Sequence, residues 1–242
     1  MKEKVAIITG GTGSLGRVVS EKLATNGIKI YIPSRSLDLF NRVFDNSQCV
    51  DTVDFNIKKI FSFECDITVE ESVKEFVENV GIQEKGKIDY LINIAGGIDS
   101  PVNTGELSAA ALMKMFDLNF MSVFFFSREV LKIMLKNNFG RIISIGSKAA
   151  TELTPKKFAY SFSKLGVIQL MNVLGEEYKE NNIRCNTIIP GIIDTPANRE
   201  WGSEADIKNW TKSSDIAEII SDIISDKYNS MRNSELKLYN SI

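Results

Sequence analysis

The sequence predicts an α/β fold: a doubly wound parallel sheet of about seven strands with helices on both faces, in a single domain. Three observations predict it. Short strand-like runs are apolar on both faces and alternate with helical stretches, the pattern of a parallel sheet covered on both sides. The first run, KVAII at 4–8, leads straight into the glycine-rich string TGGTGSLG at 9–16, and a helical pattern follows at once. No Pro/Ser-rich linker, charge block or repeat divides the 242 residues, a length that one α/β domain commonly uses.

The elements follow in order. After the glycine string, Leu15, Val18, Val19 and Leu23 share one helix face, and the pattern stops near Asn26 and Gly27. Residues 28–32 form a second strand and 60–63 a third. A helix is predicted over 69–82, a fourth strand over 88–94, and one long helix over 108–135. Residues 141–145 are a fifth strand. A helix over 155–178 carries Pro155 in its first turn. Residues 183–189 are a sixth strand, 213–224 a helix, and 236–239 a last strand. Residues 38–58 carry no regular pattern.

Composition removes several function classes. Lys plus Arg number 29 against 31 Asp plus Glu, a net charge of −2, so electrostatics make no case for nucleic acid or an anionic membrane. The apolar runs at 5–8 and 120–126 are too short for a membrane span or a signal-peptide core. The three cysteines, Cys49, Cys65 and Cys185, show no CxxC spacing. An odd count argues against a disulfide framework and fits a reducing, cytoplasmic setting, with Cys65 and Cys185 read as buried thiols. No histidine occurs, which excludes Ser-His-Asp, Cys-His and HExxH chemistry. A proton carrier must therefore be Tyr, Lys, Asp, Glu or Cys, and no metal site is expected.

A strand, then TGGTGSLG, then a helix is the Rossmann-type dinucleotide-binding arrangement. Glycines let the backbone approach a pyrophosphate, and the helix start supplies free N–H groups. Its position, more than its composition, separates it from a plain strand–helix turn. Ser34 lies eighteen residues beyond Gly16, where an acid would select a free ribose, and Arg35 follows. A hydroxyl and a guanidinium suit a 2′-phosphate, so the run favours NADP(H) over NAD(H); a solvated loop arginine is the competing reading.

YSFSK at 160–164 puts the phenol of Tyr160 and the ammonium of Lys164 four residues apart on one helix face. A phenol titrates near 10, and a neighbouring ammonium favours its ionised form. Ser147 follows the fifth strand at its carboxyl end, where α/β sheets bind ligands; a helix-capping serine is the plainer alternative.

With these pieces in order, the chain resembles the short-chain dehydrogenases/reductases, in their compact single-domain branch. The likeness runs through TGGTGSLG, CDIT at 65–68, NIAGG at 93–97, Asn119, SIGS at 144–147, YSFSK and PGIIDTP at 190–196. It implies a hydride transfer between a nicotinamide and a carbonyl or alcohol substrate, of 3-oxoacyl or small-ketone type. Tyr160 is then the proton donor, and Lys164 the ligand of the nicotinamide ribose and the tuner of the phenol. Ser147 orients the carbonyl, and Asn119 holds a relay water. Gly10, Thr12, Gly13, Ser14, Leu15 and Gly16 cradle the pyrophosphate. Asp66 and Ile67 flank adenine, and Asn93, Ala95 and Gly96 line the ribose. Pro190, Gly191, Ile193 and Thr195 close over the carboxamide and phosphate. The loop departs from the branch's usual TGxxxGxG, because position 14 is Ser, and instead fits TGxxGxxG.

A narrower resemblance, in Gly97, GSKAA at 146–150, DTPANR at 194–199, EAD at 204–206 and Trp210, is to dihydropteridine reductases. Those typically have Ala at the place of Ser147 and an acid near Ser34, so both departures argue for carbonyl chemistry. A non-catalytic NADP(H)-binding sensor is the alternative of another class; such a protein has no need of Asn119, Ser147, Tyr160 and Lys164 together. Residues 192–212 are expected to form a substrate lid. There Arg199 is available to an anionic substrate, and Trp201 and Trp210 serve either as loop anchors or as a packing surface for a ring or acyl chain. By resemblance, a homodimer or homotetramer associates through the aromatic-rich helix around residues 120–126.

Overall fold

Alternation of buried residues along each strand determines how the chain layers. In the computed structural model, which describes residues 3–44 and 59–239, β1 (Val5–Thr9) is wholly buried. Its Val5 and Ile7 enter one hydrophobic cluster, and its Ala6 and Ile8 enter another. A strand's side chains point alternately to opposite faces, so a strand apolar at every position needs cover on both. On one face α3 (Glu70–Gln83), α5 (Ser122–Asn137) and α7 (Phe158–Glu177) supply that cover through Phe76, Phe126, Val130, Val167 and Met171. On the other, α1 (Ser14–Thr25) and α10 (Ser213–Ile224) do so through Val19, Leu23, Ile216 and Ile220.

The sheet has seven strands in the order β3-β2-β1-β4-β5-β6-β9, all pairs parallel. The members besides β1 are β2 (Lys29–Ser34), β3 (Ile60–Glu64), β4 (Tyr90–Asn93), β5 (Gly140–Ile145), β6 (Ile183–Pro190) and β9 (Glu235–Leu238). The expected doubly wound Rossmann-type sheet is therefore present. The strand order reverses between β1 and β4, and open α/β sheets bind ligands at the carboxyl ends flanking such a reversal. A separate ribbon pairs β7 (Ile193–Asp194) with β8 (Thr211–Lys212) and encloses the short helices α8 (Pro196–Arg199) and α9 (Glu204–Ile207).

Three expectations need correction. The predicted helix over 108–135 is three pieces: α4 (Ala109–Phe116), a π-helical turn at Asp117–Met121, and α5. Asn119 Nδ2 donates to the Met115 carbonyl at 3.0 Å, and Ser122 Oγ to the Leu118 carbonyl at 2.7 Å. Side chains thus bond carbonyls around the widened turn, a competition that periodicity does not reveal. Residues 109–137 are long and apolar enough to cross a bilayer by length and composition, yet Phe126, Val130 and Met134 are fully buried in the core. Second, α7 begins at Phe158, so Pro155 lies outside it; Lys156 takes a left-handed φ of 65° that ends any helical run there. Third, part of the patternless stretch 38–58 belongs to α2 (Leu37–Phe44), while 45–58 lie outside the described residues. Cys65 and Cys185 are buried free thiols, as expected, and Cys49 lies outside the described residues.

Candidate active site

Two cavities meet at the carboxyl edge of the sheet, sharing Leu15, Ile94, Gly96 and Thr195. The first, about 610 Å³, lies over the loop from Gly10 to Gly16. Gly10 has a φ of 68°, and a Cβ there would come within 2.8 Å of the Ala95 backbone. A Cβ on Gly16 would lie 2.1 Å from the Gly10 carbonyl. The loop therefore folds this tightly only with glycine at both places. Gly13 caps α1 without a side-chain bond, and no acid occupies the helix's first turn. Its first N–H groups are left for an anion, which the helix dipole also favours. Thr12, Gly13, Ser14 and Leu15 line the same wall, so the loop with Ser at position 14 still makes an anion cradle.

At the far end of this cavity stand Ser34, Arg35, Asp66 and Ile67. Ser34 is buried, and its hydroxyl donates to the Ser36 carbonyl at 2.8 Å. Arg35 is exposed and makes no hydrogen bond or ion pair among the described residues. The guanidinium, not the committed hydroxyl, is the group free to meet a phosphate. Asp66 accepts from the side chain and backbone of Thr68 at 2.7 and 2.9 Å, which holds its carboxyl below the usual range. Ala95 and Gly96 line the middle of the cavity. Asn93 does not: it closes β4, is buried, and donates to Ser144 Oγ at 3.1 Å. Its expected place at a ribose is corrected accordingly.

The second cavity, about 810 Å³, holds Ser147, Tyr160 and Lys164 in its wall, with Pro190, Gly191 and Ile193 opposite. Ser147 caps the short α6 (Lys148–Thr151), accepting from Ala149 N at 3.2 Å, and lines the same cavity as Tyr160. The helix-capping reading of this serine holds, at a position on the cavity wall. Burial holds the Tyr160 phenol above its ordinary range, against the opposing influence of the Ser147 hydroxyl. Lys164 is 4% exposed, its ammonium donates to the Ile145 carbonyl at 2.9 Å, and burial lowers its pKa to about 8. The expected tuning of the phenol by Lys164 is not in place: the ammonium is directed to Ile145, and desolvation governs the phenol.

Asn119 lines neither cavity. It is fully buried behind Gly96 and Gly97, accepting from Gly97 N and donating to Gly97 O, each at 3.0 Å. With Nδ2 also on Met115, the side chain retains only the second lone pair of Oδ1 for a water. A Cβ on Gly96 would lie 2.6 Å from that oxygen and 3.2 Å from Lys164 Nζ. Gly96 is thus the spacer between the two polar groups.

In the segment over the second cavity, Arg199 makes a two-pronged ion pair with Asp194 at 2.5 and 2.8 Å. The availability expected of it for an anionic substrate is corrected. Trp210 is buried against Gly202, while Trp201 packs on it at 5.1 Å and stays 63% exposed on the cavity wall. One tryptophan anchors and the other faces the space.

Sequence reasoning missed Leu118 and Leu39 in the first cavity and Ile98 and Lys157 in the second. Nothing in local spacing marks Leu118, because the π-helical turn aims it. Ile98 follows NIAGG directly, a usable signal.

The family pattern for short chain dehydrogenases matches residues 4–206. An uncharacterized oxidoreductase of Staphylococcus saprophyticus is 33% identical over 211 residues, covering 84% of this chain and 85% of that one. The 7alpha-hydroxysteroid dehydrogenase of Escherichia coli is 31% identical over 194 residues, covering 80% and 72%. Among solved structures, NADP-bound ElxO superposes with a TM-score of 0.87 at 24% identity, covering 98% and 97%. NAD+-bound xylitol dehydrogenase gives 0.85 at 22%, covering 98% and 97%. The dihydropteridine reductase likeness finds no support among these relatives. A match that begins at β1, runs through the Tyr160 wall of the second cavity and ends inside the segment above it identifies the chain as a member of the short-chain dehydrogenase family, an oxidoreductase on a Rossmann fold.

Proposed function

We propose that this protein is a nicotinamide-dependent reductase of a carbonyl group, or a dehydrogenase of the corresponding alcohol, acting through Tyr160. The observation that carries the reading is that Ser147, Tyr160 and Lys164 share the wall of one cavity, next to a glycine-lined anion cradle in the other. The residues present fit a dinucleotide: free N–H groups at α1 for a pyrophosphate, Gly10 and Gly16 allowing close approach, and Arg35 for a 2′-phosphate. NADP(H) is favoured on Arg35. The solved relatives hold both kinds, NADP in ElxO and NAD+ in xylitol dehydrogenase. When bound, the nicotinamide supplies or accepts a hydride at the substrate carbon.

The chain's own residues handle the oxygen. The Ser147 hydroxyl orients the substrate oxygen, and Tyr160 delivers its proton as negative charge develops there. Lys164, anchored on the Ile145 carbonyl, offers its remaining N–H groups to a ribose. Asn119 Oδ1, beside Lys164 across Gly96, positions a water through which the proton is replaced. The segment at 192–212 covers the substrate and excludes bulk water. A 3-oxoacyl or small-ketone substrate suits the second cavity's mixture of Ile98, Ile192, Trp201 and Lys157. A cytoplasmic setting belongs to the same proposal.

The test is a panel of acyl thioesters, small diketones, hydroxysteroids and a quinonoid pterin, run with NADPH and NADH by loss of reduced-nicotinamide absorbance. Turnover of a carbonyl substrate that Tyr160→Phe abolishes is the expected result. Turnover confined to the pterin, or undiminished in Tyr160→Phe, would overturn the proposal.

A further inference from the structure

A third cavity, about 360 Å³, adjoins the second, and Ile98, Asp99, Lys157 and Tyr160 belong to the walls of both. Its volume lies within the range of ligand pockets. Val102 and Leu107 line it from the segment before α4, Ala111 and Met115 from α4, and Phe158 from the start of α7. The reaction proposed above makes no use of this space.

The charged groups of the two walls are almost all committed. Lys114 pairs with Asp99 at 3.3 Å and Lys148 with Glu152 at 3.4 Å. Glu106 accepts from Asn103 Nδ2 at 3.3 Å, and Lys164 donates to the Ile145 carbonyl. Lys156 and Lys157 remain, and neither side chain has a hydrogen bond, ion pair or ring contact among the described residues. Lys156 is exposed and lines the third cavity alone, whereas Lys157 is half-buried and stands in both walls. An ammonium partly withdrawn from water with no counter-charge is costly, so this place favours an anion. The third cavity has three lysines against two acids, a balance that one negative charge completes. Asp99 and Glu106 beside it disfavour a dianion.

The backbone holds Lys157 in place. Lys156 takes the left-handed φ of 65°, and its carbonyl accepts from Val102 N at 3.0 Å, which ties the turn to the loop after β4. Lys157 is the N-cap of α7, and Tyr160 follows three residues on. Residues three apart on a helix face have Cβ atoms about 5–6 Å apart, so one small molecule can reach both.

We propose that Lys157 selects the substrate by binding a carboxylate on its non-reacting end, at the junction of the second and third cavities. The carbons between that carboxylate and the carbonyl at Tyr160 lie along Ile98. This rests on the carbonyl reading above and narrows it to oxo acids.

The test compares 5-oxohexanoate and 6-oxoheptanoate with their methyl esters, by oxidation of NADPH and of NADH at constant ionic strength. Wild-type kcat/KM should favour the free acid roughly tenfold or more, the worth of one charge-assisted bond, with the difference carried by KM. Lys157→Gln should erase that preference and Lys157→Glu reverse it, while Lys156→Gln keeps most of it. The Lys157 side chain bonds nothing else among the described residues, so both of its variants should keep the wild-type Tm. A second measurement needs no turnover. Hexanoate and hexanamide are titrated into the complex with each dinucleotide and followed by nicotinamide fluorescence. Hexanoate should bind the more tightly, and Lys157→Gln should remove the difference. Preferential binding of hexanoate without turnover of any carbonyl compound would uphold the role of Lys157 and overturn the reductase reading. Turnover of ketones with no preference for the acid in either measurement would overturn this inference and leave that reading standing. A preference that survives Lys157→Gln, or that Lys156→Gln removes equally, would also overturn it.

Discussion

Lys164 Nζ donates to the Ile145 carbonyl at 2.9 Å and so ties α7 to the last residue of β5. That bond crosses from a helix to the strand that leads into Ser147. It fixes the relative placement of the residues proposed to orient the substrate and to deliver its proton.

The first prediction follows from burial of that ammonium. Lys164 titrates near 8 in the folded chain, against about 10.4 when unfolded. Its folded pKa is depressed, so the unfolded state binds the extra proton between these values, and wild-type stability rises with pH across that window. Below pH 8 the buried charge imposes its full cost of about 3 kcal/mol. Lys164→Met removes that cost but leaves the Ile145 carbonyl without this donor, an offset of about 1–3 kcal/mol. The stability of Lys164→Met relative to wild type should therefore fall by about 3 kcal/mol from pH 7 to pH 10, read by urea unfolding. A flat difference would show that Lys164 is not buried as a charge.

Tyr160→Phe keeps the ring and deletes one hydroxyl. Cofactor affinity and Tm should be retained while kcat falls by about 10² to 10⁴, the usual worth of a positioned acid. A deuteride isotope effect establishes that chemistry is being measured. Near-normal kcat with chemistry rate-limiting would rule out the proton-donor role.

Arg35→Ala should weaken NADPH by roughly tenfold or more and leave NADH nearly unchanged, because the Ser34 hydroxyl is already committed to Ser36. Fluorescence titration of both dinucleotides reads this. Equal wild-type affinities would remove the 2′-phosphate role.

Gly16→Ala places a methyl 2.1 Å from the Gly10 carbonyl. The loop must open, costing about 1–3 kcal/mol as overpacking does, and dinucleotide binding should be lost with it. Retained tight binding would show that the cradle is not where the pyrophosphate sits.

The homo-oligomer expectation moves to a new surface. Val123, Phe125 and Phe126 are absorbed into the core, whereas Phe158, Phe162 and Leu165 of α7 are 46, 49 and 48% exposed, with Phe162 stacked on Phe116. An exposed apolar strip of this kind is usually covered. Light scattering should give a dimer or tetramer at micromolar concentration, and Phe162→Lys should shift it to single chains. A single-chain mass for the wild type throughout would refute this.

The sequence by itself determined the strands, the glycine loop and the Tyr160–Lys164 spacing. These depend on apolar alternation, on the absence of a Cβ and on helical geometry, all of which are local. The helix over 213–224 was read to its observed ends for the same reason. Tertiary structure decided the rest. Whether Asn119 faces a cavity, whether Arg199 is free, and where the Lys164 ammonium points depend on groups far away in the chain: Gly97, Asp194 and Ile145. The placement of Arg141 beside Arg184 arises only from register between β5 and β6, more than forty residues apart. A one-dimensional pattern reports what each residue prefers, but side-chain bonds and buried charge are set by partners that only the packed sheet brings within reach.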